Sequence, residues 1–286
     1  MYFIQETDKP KFLYKLFLIP KLERDEILLP INNIKENDKK TEKETEKNNK
    51  KEIKLAKNTK KILDKTHCKK IILSKELQKY RIFSNQLHTY GFEIINGKWL
   101  FNVLSCEILE YIVKKEKMIE EKVKISILVN DVTDIELYNI KEIVKKYKRL
   151  NIVTNHIEKF KKLEEQILNE YGLMITLTNN KKKSLTKTDI ILNVDFPTEL
   201  INKYRIAENA IIINLKQKAT IKQKRFEGKI FNDYEILHQN IEEIEYDKNE
   251  KFYTKDIYEA LIYKQQPIEN IRRKIEKDKV EIKILK

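Results

Sequence analysis

Ile125-Ser126-Ile127-Leu128-Val129-Asn130-Asp131-Val132-Thr133-Asp134 is the stretch that decides the fold. Its first five residues are an almost unbroken apolar run, the pattern of a parallel strand buried on both faces. Thr133-Asp134-Ile135-Glu136 then reads as a capping box, in which hydroxyl and carboxylate satisfy each other's orphan backbone donors. Ile140, Ile143, Val144 and Tyr147 recur at helical spacing behind it, so the segment predicts strand, tight turn, helix.

Downstream the unit repeats. Leu150–Val153 is a second strand. Asn155 with Glu158 is placed to cap a helix whose stripe is Phe160, Leu163, Ile167, Leu168 and Tyr171, and Gly172 sits where a C′ glycine belongs. Leu173–Leu177, Ile190–Val194 and Ala210–Leu215 are further strands, with a short helix at Thr198–Tyr204. Strands alternating with helices predict a parallel, doubly wound sheet.

Upstream, Met1–Ile4, Phe12–Ile19 and Ile27–Ile31 are strand-like runs interrupted by Pro10, Pro20 and Pro30, which confine them to a β-hairpin arm at a sheet edge. Residues 35–52 hold no apolar side chain and carry seven Lys against six acids; such a segment buries nothing and is expected to be a linker, disordered or fraying as a helix. Asn96-Gly97 is the strongest two-residue turn signal. The expected organisation is a β-rich arm at 1–33, a charged linker at 34–60, a small α/β domain at 61–120, the doubly wound domain at 121–230, and a helical extension with a final strand at 231–286.

The chain has 286 residues, a net charge of +14 and only four glycines. That scarcity excludes collagen, Gly-rich linkers and any site needing several glycines together. The Lys/Ile/Asn bias of an AT-rich genome accounts for the charge; a polyanionic partner is the second explanation. Residues 216–230 carry six Lys/Arg against one acid. Cys68 and Cys106 form no CxxC pair and no disulfide framework, which with the absence of a signal-like N-terminus or a long apolar run points to a reducing cytoplasmic setting and no membrane span.

Residues 124–215 resemble the NAD(P)-binding Rossmann-like domain of the shikimate dehydrogenase and glutamyl-tRNA reductase group. The likeness lies in Asn151-Ile152-Val153-Thr154-Asn155-His156 at the end of the second strand, where that group contacts the adenosine ribose or its 2′-phosphate, and in Asp189-Ile190-Ile191-Leu192-Asn193-Val194-Asp195 in the fourth. It implies an α/β fold and NAD(P) as cofactor. The first turn departs from it: Val129–Asp134 holds no glycine, although the fold needs glycines there for the turn and for close approach of a pyrophosphate. Asp131 and Asp134 put carboxylates where that anion would lie. The expectation is therefore a degenerate Rossmann-like frame with no cofactor, serving as a binding or regulatory protein, with an NAD(P)-dependent oxidoreductase as the alternative. Candidate crevice residues are Asn130, Thr154, Asn155, His156, Asn193 and Asp195, all at the carboxyl edge of the sheet, where open α/β sheets bind ligands. The expected partner there is a protein or a small molecule. Nucleic acid at Lys181–Lys183 and 216–229 is the less favoured reading, since no aromatic residues interleave to stack bases. No catalytic residue is assigned: His88 and Cys68 lack an orienting partner in the sequence.

Overall fold

The computed structural model describes residues 1–7, 17–31, 42–216, 218–238, 250–263 and 267–286. In chain order these form β1 (Tyr2–Glu6), β2 (Lys21–Glu23), β3 (Glu26–Leu29), α1 (Glu42–Thr66), β4 (Lys70–Leu73), α2 (Arg81–Thr89), β5 (Glu93–Ile95), α3 (Lys98–Val103), α4 (Ser105–Lys115), β6 (Lys124–Leu128), α5 (Asp134–Lys146), β7 (Arg149–Val153), α6 (Ile157–Tyr171), β8 (Thr176–Thr178), α7 (Lys181–Thr186), β9 (Ile190–Asn193), α8 (Thr198–Asn202), β10 (Ile211–Asn214), β11 (Lys229–Phe231), β12 (Tyr234–Leu237), α9 (Thr254–Ile262), α10 (Ile268–Lys277) and β13 (Glu281–Leu285). They divide into two compact units, residues 1–97 with 241–264, and residues 98–240 with 265–286.

The first unit is built on a five-stranded sheet in the order β2-β3-β1-β4-β5, parallel except for the β2–β3 hairpin. The expected edge arm is thus at the centre of this sheet, because alternate residues of β1 are needed on both faces. Ile4 packs with Leu55, Leu63 and Phe83, while Phe3 meets Phe252 edge to face at 5.2 Å. Part of the expected linker, residues 34–41, lies outside the described residues, and so do residues 12–16 of the Phe12–Ile19 run. From Glu42 the chain is helix, not linker. Asn48, Glu52, Leu55, Ala56, Thr59 and Leu63 are buried, and their spacing makes one face of α1. The polar members are satisfied: Glu52 accepts the Phe83 amide at 3.0 Å, near the start of α2, where a carboxylate also suits the helix dipole.

The second unit carries the stretch quoted first. Its six-stranded sheet runs β11-β10-β9-β6-β7-β8, every neighbouring pair parallel. Renumbered from β6, this is the doubly wound order 3-2-1-4-5-6. Leu128, Val153, Ile191 and Ile212 on one face pack with Leu185, Phe196, Ile201 and Ile206; Ile127, Ile152, Ile190 and Ile213 on the other are equally buried. The capping box at Thr133 and Glu136 forms, and Gly172 closes α6 at φ 62. The residue capping α6 is His156, without a side-chain cap bond, so the expected Asn155 cap is corrected.

The boundaries expected at 120/121 and 230/231 do not separate the units, and neither does that at 60/61, which falls within α1. The break is at Gly97, which turns β5 into α3 with φ +74. Residues 98–120 belong to the second unit because Phe101 stacks on Tyr234 at 4.5 Å and Asn102 exchanges hydrogen bonds with Glu136 and Asn139 on α5. The region 231–286 is shared. Phe252 and Ile257 pack with Ile72 and Ile95 of the first sheet, whereas β12 and β13 pair antiparallel and α10 joins α4 through Arg272 and Glu107. β11 and β12 lie in stretches that carry no strand signal above.

Candidate functional site

At the carboxyl edge of the six-stranded sheet each strand ends in, or is followed by, asparagine: Asn130 after β6, Asn155 after β7, Asn179 and Asn180 after β8, Asn193 in β9, Asn214 in β10 and Asn232 after β11. Asparagine both donates and accepts through its side chain, and these side chains knit the edge together. Asn193 and Asn214 are 1% exposed. Asn193 donates to Asn214 and to the Phe196 carbonyl (2.9 Å), and accepts the Phe196 amide at 2.9 Å. Asn214 and the Ala219 amide donate to Asn232. Asn193 therefore shapes the β9–α8 turn from inside, and Asn214 and Asn232 extend the row.

The switch point between β6 and β9, where the order reverses, is the expected ligand position in such sheets. The Asp195 carboxylate occupies it. It accepts the Asn130 backbone N–H at 2.8 and 3.0 Å, the Asn130 side-chain amide at 3.2 Å and the Asp131 N–H at 2.9 Å. The amides of this turn, which in a dinucleotide fold approach the pyrophosphate, already hold an anion supplied by the chain. Asn130 continues the network, accepting the Asn155 N–H at 2.9 Å; Asn155 in turn accepts from Lys181 at 2.7 Å. Asp131 pairs with Lys159 at 3.2 Å on the surface.

The structure thus joins Asn130, Asn155 and Asp195 in one network, with Asn193 two residues from Asp195 in a second. Thr154 is fully buried and accepts the His156 N–H at 3.0 Å, which fixes the β7–α6 turn. His156 is exposed and its side chain makes no hydrogen bond among the described residues, so it stands apart from the cluster. Lys181, one of the three lysines named above as a nucleic-acid candidate, is buried in α7 and donates to Asn155. A row of strand-terminal asparagines was the signal that would have found Asn214 and Asn232.

The turn at 129–134 has no glycine, and its Asn130 and Asp131 amides are engaged by the Asp195 carboxylate. Among the described residues no group of three His, Cys, Asp or Glu is arranged to hold a metal ion, and no helix is long and apolar enough to cross a membrane.

The other reactive groups are separate from this edge. His88 is exposed on α2 and lines a concavity of about 620 Å³ with Asn85 and Glu93. Cys68 is half-buried, with its sulfur 3.1 Å from the Lys70 carbonyl. Cys106 is buried, and burial, with the Glu107 charge adding, pushes its thiol well above the usual range. Ellman's reagent is expected to titrate one thiol in the native protein and the second only on unfolding, since the thiolate is the reactive species; two fast thiols in the native state would contradict this packing.

The 3-2-1-4-5-6 order with every neighbouring pair parallel defines a Rossmann-like α/β fold. No family model matches the chain, and no curated protein matches it. Among solved structures it is similar to iminosuccinate reductase of Paracoccus denitrificans in complex with NAD+ (11% identity, TM-score 0.30, 41% of this chain and 36% of that one). It is also similar to shikimate 5-dehydrogenase of Listeria monocytogenes in complex with shikimate and NAD (9%, 0.33, 58% and 60%), and to quinate dehydrogenase of Corynebacterium glutamicum in complex with NAD (9%, 0.29, 43% and 45%). The matched regions span between about a third and three fifths of those chains. At these scores it is the strand order that carries the fold assignment.

Proposed function

We propose that this protein uses the carboxyl edge of its Rossmann-like sheet as a binding surface without dinucleotide chemistry, in a binding or regulatory role. The observation that carries this reading is the Asp195 carboxylate on the Asn130 and Asp131 amides. Charge-assisted bonds of this kind are the stronger class. A pyrophosphate brought to the same amides has to displace the carboxylate and then lie beside it. One unit-charge repulsion at about 4 Å costs about 4 kcal/mol at an effective dielectric of about 20, close to a thousandfold in Kd. The ligand that fits is one that leaves Asp195 in place and meets the Asn155 and Lys181 side, a protein loop or a small polar molecule.

A second reading is favoured by one observation, the 3-2-1-4-5-6 strand order with its switch point between β6 and β9: an NAD(P)-dependent oxidoreductase with an atypical phosphate turn. Calorimetric titration with NADH and with NADPH decides between them. The binding-surface reading expects no saturation up to about 1 mM and no thermal stabilisation, since a ligand that binds the folded state must stabilise it. A Kd below about 100 μM for either cofactor sinks it in favour of the second.

A further inference from the structure

The basic excess of the chain is not spread evenly. Residues 179–187 and 203–229 hold twelve Lys and Arg against only Glu208 and Glu227, a net +10 of the chain's +14. Hydrogen bonds join these segments into one surface of the second unit. The Ala207 N–H donates to the Leu185 carbonyl at 2.9 Å, which ties the 203–208 turn to α7. Gln223 donates to the Tyr204 carbonyl at 2.7 Å and accepts the Ile206 N–H at 3.1 Å, which ties the 220–225 segment to the same turn. Between α7 and the turn lies a concavity of about 720 Å³ whose lining includes Lys182, Lys183, Lys187 and Arg205.

Elsewhere in this unit Lys145, Lys146, Lys159 and Lys274 each pair with a nearby carboxylate, and at the end of the basic segments Lys229 pairs with Glu116. Lys182, Lys183 and Lys187 are exposed, and among the described residues the ion pair of the concavity is Arg205 with Glu208 at 3.2 Å. Exposed like charges held together repel, which is a cost that a polyanion removes. The surface is also longer than the concavity, since Lys222, Lys224 and Arg225 continue it along the tied segment. A repeated anion therefore suits it better than a single one.

We propose that this surface binds the sugar–phosphate backbone of a nucleic acid without reading sequence, with Lys182, Lys183, Lys187 and Arg205 around one turn of backbone. Phosphate contacts of this kind position the partner and carry no sequence information. The affinity is set by counterion release, so log K falls linearly with log salt, with a slope of about −0.9 per phosphate neutralised.

The test is fluorescence anisotropy of the full chain with a labelled 20-base-pair DNA duplex and an RNA duplex of the same sequence. Four contacts give a slope of about −3.6, hence an affinity falling about 150-fold between 50 and 200 mM KCl. The Lys182→Glu/Lys183→Glu/Arg205→Glu variant is expected to bind at least about 100-fold more weakly at 50 mM salt. A control Lys114→Glu/Lys162→Glu variant, reversing two exposed lysines elsewhere, is expected to stay within about twofold of wild type. Circular dichroism confirms that each variant is folded, and the wild-type salt slope stands independently of both. No binding at 50 mM KCl, an equal loss in the control, or tighter binding to 30% phosphatidylserine vesicles than to either duplex each overturns the proposal. None of these outcomes bears on the dinucleotide titration, which concerns the carboxyl edge.

Discussion

Gly228→Ala is expected to destabilise the second unit by about 3 kcal/mol, the upper part of the range for forcing atoms into a packed site. A Cβ at this position would sit 1.9 Å from the Ala210 carbonyl oxygen and 2.8 Å from the Phe226 ring. The carbonyl cannot give way cheaply. It belongs to backbone leading into β10, and the Glu227 N–H donates to the Glu208 carbonyl at 2.8 Å just before the contact. Gly228 is where the returning chain is drawn against β10 before β11 begins its register, Ile211 opposite Lys229. The glycine is needed for close approach, and its φ is not in the left-handed region. Relief requires β11 to move off the sheet edge, losing part of the Ile212–Ile230 pairing. Urea denaturation with a constant m-value checks it; a loss under about 1 kcal/mol would show that the edge strand yields freely.

How much was legible in the sequence follows from how local each signal was. The run 125–129, the capping box at Thr133 and the C′ glycine at 172 are contacts within a few residues, and each was placed by spacing alone. So was the succession of strands along the chain from β6 to β10, because apolar runs alternated with amphipathic stretches. β11 was missed because three residues inside a lysine-rich segment give no period; the strand is stabilised by its partner, through Gly228, more than by its own composition. The expected linker failed for a related reason. Residues 42–52 are polar throughout, yet Asn48 and Glu52 are buried on the apolar face of α1, and for Glu52 another helix, α2, supplies the partner. β1 read as an edge because Pro10, Pro20 and Pro30 follow it, whereas none of them falls within its five residues.

The site divides in the same way. The absence of glycine in 129–134 was visible, and so were the candidates Asn130, Asn155, Asn193 and Asp195. That Asp195 would reach across 65 residues to the Asn130 amide was not. Two carboxylates were expected to repel an anion at that turn from Asp131 and Asp134, and both are exposed. It is a third, from the neighbouring strand, that takes the amides. Long-range partnership of a polar side chain leaves no periodic trace, so only the pairing of β6 with β9 could reveal it.

Glu107→Gln is expected to destabilise the same unit by about 2–3 kcal/mol, and the reason lies in its partner. Arg272 is 8% exposed, on the face of α10 that also buries Ile268, Ile271 and Ile275. Its guanidinium donates to the Val103 carbonyl at 3.1 Å and to both Glu107 oxygens, and stacks 5.6 Å from the Tyr138 ring. Burial lowers the affinity of this group for its proton, and the Glu107 carboxylate more than restores it, so the arginine stays charged. Removing the carboxylate leaves that charge buried and uncompensated, which costs about 3–5 kcal/mol in fully buried pairs. The expected figure is lower because the Glu107 side chain is 25% exposed and water recovers part of the loss. The coupling is the decisive part. Arg272→Met removes the charge and keeps the volume but leaves the Val103 carbonyl and the Glu107 carboxylate without this donor, so it should cost about 1–3 kcal/mol, and Glu107→Gln in that background should cost almost nothing. Chemical denaturation of the four proteins measures the cycle. A Glu107→Gln loss that persists undiminished alongside Arg272→Met would show that the carboxylate acts through α4 alone, and not by holding residues 267–286 onto the unit that carries the candidate site.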